Sequence, residues 1–262
     1  MTFSEIANRF PKDFVFGISK LRAAYPFIRK NELWKGMDKY PWAISLLILI
    51  GMIVGIKFLT ICFGWWGNLE STEPMAVASS LAGLFGDIFS EGYQLFFLGG
   101  VKYIILILME VIIFHFIRKT IQTLTGEVQS STLQDFINAE IRMIKVVIMA
   151  WFLETIIAFA IKIFLGIVGY DFLIPFAILT VQCYFLGYVV LDNYFEVIGK
   201  NIKESTQEIK KYAGLSTSVG VAMYILLFIP LLGAILAPVI GSVAASLALH
   251  ERLAEDVIVV MD

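Results

Sequence analysis

Charge is scarce in this chain of 262 residues: Asp, Glu, Lys and Arg make up 16% of it, against about 25% in an ordinary soluble domain. Histidine and cysteine are rarer still, with two of each. His115 and His250 lie far apart in sequence, and Cys62 and Cys183 both sit inside apolar runs. A disulfide framework or a thiolate metal site therefore has no support, and buried free thiols are expected. No G-x-S-x-G and no phosphate-cradling glycine loop occurs, so catalysis has no seat and neither metal nor cofactor is expected. A formal charge of -2 supplies no basic field for nucleic acid. There is no repeat of fixed period and no low-complexity linker, which leaves one membrane domain over residues 1–262.

Apolar surface is abundant: 59% of residues are hydrophobic, 22 of them Phe, and the mean hydropathy is +0.83. The partner such a chain requires is the lipid bilayer. Crossing a hydrocarbon core of roughly 30 Å takes about 20 apolar helical residues. Pro41 to Phe63 and Phe96 to Ile117 meet that length, and the first starts too late and runs too long for a cleaved secretory leader. Val146 to Val168 and Leu173 to Leu191 are also long enough, and only four residues separate them, which predicts a tight helical hairpin over 141–192. The last apolar region, 214–253, is interrupted by Pro230 and Pro238. Each proline removes a backbone donor and disfavours helix in its predecessor. A re-entrant hairpin is therefore expected, with a buried turn over Leu231 to Ala237 at mid-membrane depth. Gly51 and Gly55, and Ala237, Gly241 and Ala245, carry the small-residue spacing of helix contacts, within one chain or between copies.

The basic residues orient these segments. Seventeen of the 20 precede Pro41, follow the even-numbered crossings or flank the hairpins. The opposite face, the 64–95 loop and the Asp171 turn, holds acidic residues and no basic one. The positive-inside rule places both termini in the cytoplasm. In residues 1–40, Phe14, Ile18, Leu21, Tyr25 and Ile28 form one helical stripe with a basic complement, as in an amphipathic helix lying in the inner interface.

Charged groups within the spans are costly there and are candidates for function. They include Lys57, Lys102, Glu110, Glu154 and Lys162, with His115. Lys102 and Glu110 are eight apart, as are Glu154 and Lys162 in reverse order. If the two helices are antiparallel neighbours at equal depth, lysine faces lysine, holding an anion, and glutamate faces glutamate, sharing a proton. The alternative is that the lysines snorkel outward and each glutamate is separately protonated or hydrogen-bonded.

Leu191-Asp192-Asn193-Tyr194-Phe195, then Ile229-Pro230-Leu231-Leu232-Gly233 and Ala237-Pro238-Val239-Ile240-Gly241, resemble the family of CysZ sulfate permeases and etoposide-induced membrane proteins. Gly17, the basic N-terminal helix and Glu32-Leu33-Trp34-Lys35 ahead of Pro41 are also similar to it. The resemblance implies an all-α membrane protein with two long transmembrane helices and two partly penetrating hairpins, oligomeric in the inner membrane. It also implies a sulfate site ahead of the first span, built in the family on Gly-Leu-Arg and a following Arg. Here Leu33 matches, Lys35 takes the second basic role, and the glycine and first arginine are absent. Arg29, Lys30, Leu33 and Lys35 are the candidate anion ligands. The leading expectation is a permease or channel for a small inorganic anion such as sulfate. The rival is a non-transporting scaffold or accessory subunit that binds another membrane protein. Charged groups along an internal path favour the first, and a closed apolar interior favours the second.

Overall fold

The computed structural model describes residues 3–37, 101–127, 133–227, 229 and 232–261, with scattered positions between 45 and 86. Eight α-helices follow one another in these segments: α1 (Phe3–Lys30), α2 (Val101–Leu108), α3 (Glu110–Thr125), α4 (Leu133–Val168), α5 (Ile174–Val197), α6 (Ile202–Lys211), α7 (Ala213–Leu227) and α8 (Gly233–Met261). Among the described residues three helical stretches are long and apolar enough to cross a membrane: Asn138–Val168, Asp171–Val197 and Gly233–Asp256. The first expected span, 41–63, and the 64–95 loop lie almost wholly outside the described residues, and Lys57 with them.

The middle of the fold is set by glycine. A Cβ on Gly187 of α5 would lie 1.8 Å from the Ser216 carbonyl oxygen, and one on Gly220 of α7 would lie 1.7 Å from that of Cys183. The two backbones are in direct contact, antiparallel, and Ser216 donates to the Tyr184 carbonyl across the seam at 2.8 Å. α8 returns antiparallel along α7. Gly233 starts against the Leu226 and Leu227 carbonyls, and Gly241 faces Met223.

α1 closes one end of this stack. Gly17 touches Leu215 and Ser218, and Gly214 of α7 sits against the backbone of Phe10 and Phe14. Ion pairs then tie α1 to the far part of α8: Lys20 with Glu251, Arg9 with Asp256 at 3.1 Å and Arg252 with Asp13 at 3.1 Å. Tyr212, between α6 and α7, donates to Asp256 at 2.6 Å and lies under the Arg9 guanidinium. Burial pushes the Asp13 carboxyl up, against the downward pull of Arg9 and Arg252. Both terminal regions thus meet in one polar layer.

Three expectations change here. The stretch 96–117 is not one helix in its described part, because α2 ends at Leu108 and α3 restarts at Glu110 around Met109 (φ -94°, ψ 1°). Among the described residues the spanning lengths belong to both arms of the α4–α5 hairpin, in keeping with their apolar lengths, and to α8. In the terminal region the break falls before Gly233, and Pro238 lies inside α8, where it costs a single i→i−4 bond. Ala234 and Ala237 are buried as expected of that turn, whereas Ile229 and Leu232 are exposed. In α1 the buried face runs through Asp13, Gly17, Ala24 and Ile28, and Tyr25 points outward at 61% exposure. Small residues rather than large ones let α1 approach α7.

The hairpin turn stands where the spacing places it, with Gly169 at φ 81° and a short 3-10 turn over Asp171–Leu173. Its apolar side chains Phe164, Ile167, Phe172 and Phe176 are all more than 60% exposed, as lipid-facing groups are. Two glycine replacements separate packing from propensity. Gly220→Ala is expected to cost about 2 kcal/mol or more, because a backbone contact must open. Gly166→Ala, whose new Cβ meets nothing closer than 3.7 Å, is expected to be neutral or to gain up to about 1 kcal/mol of helix propensity. Thermal unfolding in detergent micelles measures both.

Candidate functional site: a buried polar seam

Inside this apolar body the ionisable groups are not scattered. On α2, Lys102 is 1% exposed, and its ammonium donates to both oxygens of Glu154 on α4 at 2.8 and 2.9 Å. The neighbouring Tyr103 hydroxyl donates to the same carboxylate at 2.5 Å. An isolated charge at this depth would be very costly, and the opposite charge with a third donor is what offsets the loss of water.

The break at Met109 sets the next group. Glu110 opens α3 and is 1% exposed. Asn193 of α5 donates to its Oε2 at 3.2 Å, and Oε1 meets no hydrogen-bond partner among the described residues. A third cluster lies where α4, α5 and α6 meet. Arg142 donates through Nε and Nη2 to the two oxygens of Asp192, each at 3.0 Å, and through Nη1 to the Lys200 carbonyl at 2.5 Å. Ser205 donates to Asp192, and Glu196 lies 3.5 Å from the guanidinium. Planar bidentate pairing of this kind is what arginine supplies and lysine does not.

From Glu154 to Arg142 is 12 residues of α4, or ~18 Å along its axis. Two of the three polar clusters thus take a residue from α4, Glu154 toward α2 and Arg142 toward α5, and the third joins α3 to α5 beside Met143 of α4. Beyond the last cluster, Glu208 on α6 is held below the usual carboxylate range. Its partial burial works upward, and Lys211 and Lys200 overcome that.

The positions singled out in the sequence divide accordingly. Lys102, Glu110 and Glu154 fall on the seam, but in a different register from the equal-depth pairing: lysine meets glutamate. α4 is shifted along α2 and α3, so that Glu154 is level with Lys102, and Glu110 lies near Met143, which shares Asn193 with it. Lys162 is exposed on the C-terminal half of α4. His115 is buried, with Nε2 3.0 Å from the Leu33 carbonyl. Leu33 itself is 1% exposed and anchors the segment after α1. Arg29 and Lys30 are exposed, and Lys35 is 68% exposed and paired with Glu32. These basic residues are not on the seam.

Tyr103, Arg142, Asp192, Asn193 and Ser205 were not among the expected site residues. Asp192-Asn193 at the close of an apolar run is the visible signal for two of them, and an arginine 50 residues upstream is not readable as their partner.

If the Lys102–Glu154 pair is a single buried unit, Lys102→Met or Glu154→Gln alone is expected to lose about 3–5 kcal/mol. Replacing both by Met is expected to recover most of that. A double-mutant cycle on unfolding in micelles reads the coupling.

The family model described as Sulfate transporter CysZ/Etoposide-induced protein 2.4 matches residues 21–238. Neither the curated proteins nor the solved structures give a match.

Proposed function

Because the chain belongs to the family of the sulfate transporter CysZ and etoposide-induced protein 2.4, we propose that it is a permease or channel for a small inorganic oxyanion such as sulfate. It sits in the inner membrane with both termini in the cytoplasm. The observation that carries the reading is the buried seam of charge between α2, α3, α4 and α5, since a passive scaffold gains nothing from a lysine and two glutamates in its interior.

In this reading the basic groups after α1, Arg29, Lys30 and Lys35, collect the anion at the cytoplasmic end. Their exposure suits capture from water. The Glu32 carboxylate competes for Lys35, so an arriving oxyanion exchanges one ion pair for another. Within the body, the Lys102 ammonium is the positive group that a dehydrated oxyanion can exploit, and Glu154 with Tyr103 is the counter-group that holds it between passages. The location of the 17 basic residues supports the orientation. Three of them, Arg9, Lys20 and Arg252, join in the polar layer that holds both terminal regions.

The test is uptake of radiolabelled sulfate into proteoliposomes, with empty liposomes as the control. Wild-type protein is expected to exceed the control, and each of Arg29→Gln, Lys30→Gln and Lys35→Gln that removes a charge-assisted contact lowers uptake by about tenfold. Uptake equal to that of empty liposomes would turn the reading toward an accessory subunit.

A further inference from the structure

Where α4 begins and α5 turns into α6, the surface folds into a cavity of about 530 Å³ that the transport reading does not use. Asn138, Ile141, Arg142 and Lys145 line it from α4, and Asn201, Ile202 and Lys203 from the other side. Its charge balance is unusual for this chain. Arg142 is engaged with Asp192, Glu196 and Ser205, and the Glu204 carboxylate accepts the Asn201 amide in a capping box. Lys145 and Lys203 are both exposed and form no ion pair among the described residues. Two free ammonium groups therefore flank a cleft in which the described carboxylates already have partners.

The floor of the cleft is apolar. Ile141 is 48% exposed, and it begins a stripe on α4 that continues through Ile144, Ile148, Trp151 and Phe152, at 38 to 60% exposure. A free inorganic anion gains nothing from such a stripe. A molecule with a phosphate head and a hydrocarbon tail matches both parts, and the place is where the charged end of a spanning helix passes into its apolar length.

We propose that this cleft is a binding site for the phosphate headgroup of an anionic phospholipid, held by Lys145 and Lys203, with an acyl chain lying along Ile141, Ile144 and Ile148. Occupancy would brace α4 against the α5–α6 turn on the outside, as Arg142 does from within. The inference does not depend on what the chain transports.

Delipidated full-length protein in detergent, titrated with phosphatidylglycerol while its thermal midpoint is followed, gives the test. Phosphatidylcholine, sulfate and inorganic phosphate are the comparison arms. Phosphatidylglycerol is expected to raise the midpoint and phosphatidylcholine to leave it unmoved. Lys145→Gln and Lys203→Gln are each expected to weaken apparent affinity roughly 5-fold, and the pair about 30-fold. Lys162→Gln, at the other end of the hairpin, is expected to change nothing. An equal response to both lipids, or an undiminished response in the double variant, overturns the proposal. A lysine-dependent shift with free phosphate or sulfate as large as that with lipid assigns the cleft to a soluble anion instead.

Discussion

Contact between the backbones of α5 and α7 at Gly187 and Gly220 is the constraint from which the remaining geometry follows. With no side chain between them, the two helices come as close as backbones can, and van der Waals contact replaces the hydrophobic drive that lipid does not provide. α8 then packs back along α7, and α1 lies across the end where Gly214 and Gly17 permit it. One face of α5 is committed to α7, and two of its other polar residues, Asp192 and Asn193, turn toward Arg142 on α4 and Glu110 on α3. The packing of one glycine pair thus determines where the charges meet.

What those charges do for the fold follows from the dielectric around them. In a soluble protein many of these groups would be solvated and nearly neutral in their effect. Here Lys102, Glu154, Asp192 and Glu110 are all within 7% exposure, and each must find its partner inside the chain. The pairs join helices far apart in sequence. Lys102 and Glu154 are 52 residues apart, Arg142 and Asp192 are 50, and Glu110 and Asn193 are 83.

The hairpin turn at 169–173 and the apolar lengths of its arms were legible, because periodicity and length are local signals. The charged residues themselves were legible as anomalies. Their partners were not, since equal depth for two antiparallel helices rests on a register that only packing decides, and α4 is displaced along α2 and α3. The interruption at Met109 carries no proline or glycine to announce it. Pro238 announces a break that does not occur: it lies inside α8, whose first residue, Gly233, sits against the Leu226 carbonyl. The asparagine and serine contacts of the seam are ordinary residues made important by their neighbours.

Family membership and the buried seam are what support the proposed passage of an anion by the Lys102 ammonium, and the sign of that charge is what would distinguish transport from mere support of the fold. Exchanging the partners, with Lys102→Glu and Glu154→Lys in one protein, keeps an ion pair between α2 and α4 but moves the positive group from one helix to the other. Sulfate flux into proteoliposomes, measured beside the thermal midpoint of the same preparation, separates the two roles. The account predicts a midpoint near that of the wild type and a flux reduced by about tenfold or more, the worth of one misplaced charge-assisted contact. Wild-type flux in the exchanged protein would contradict it.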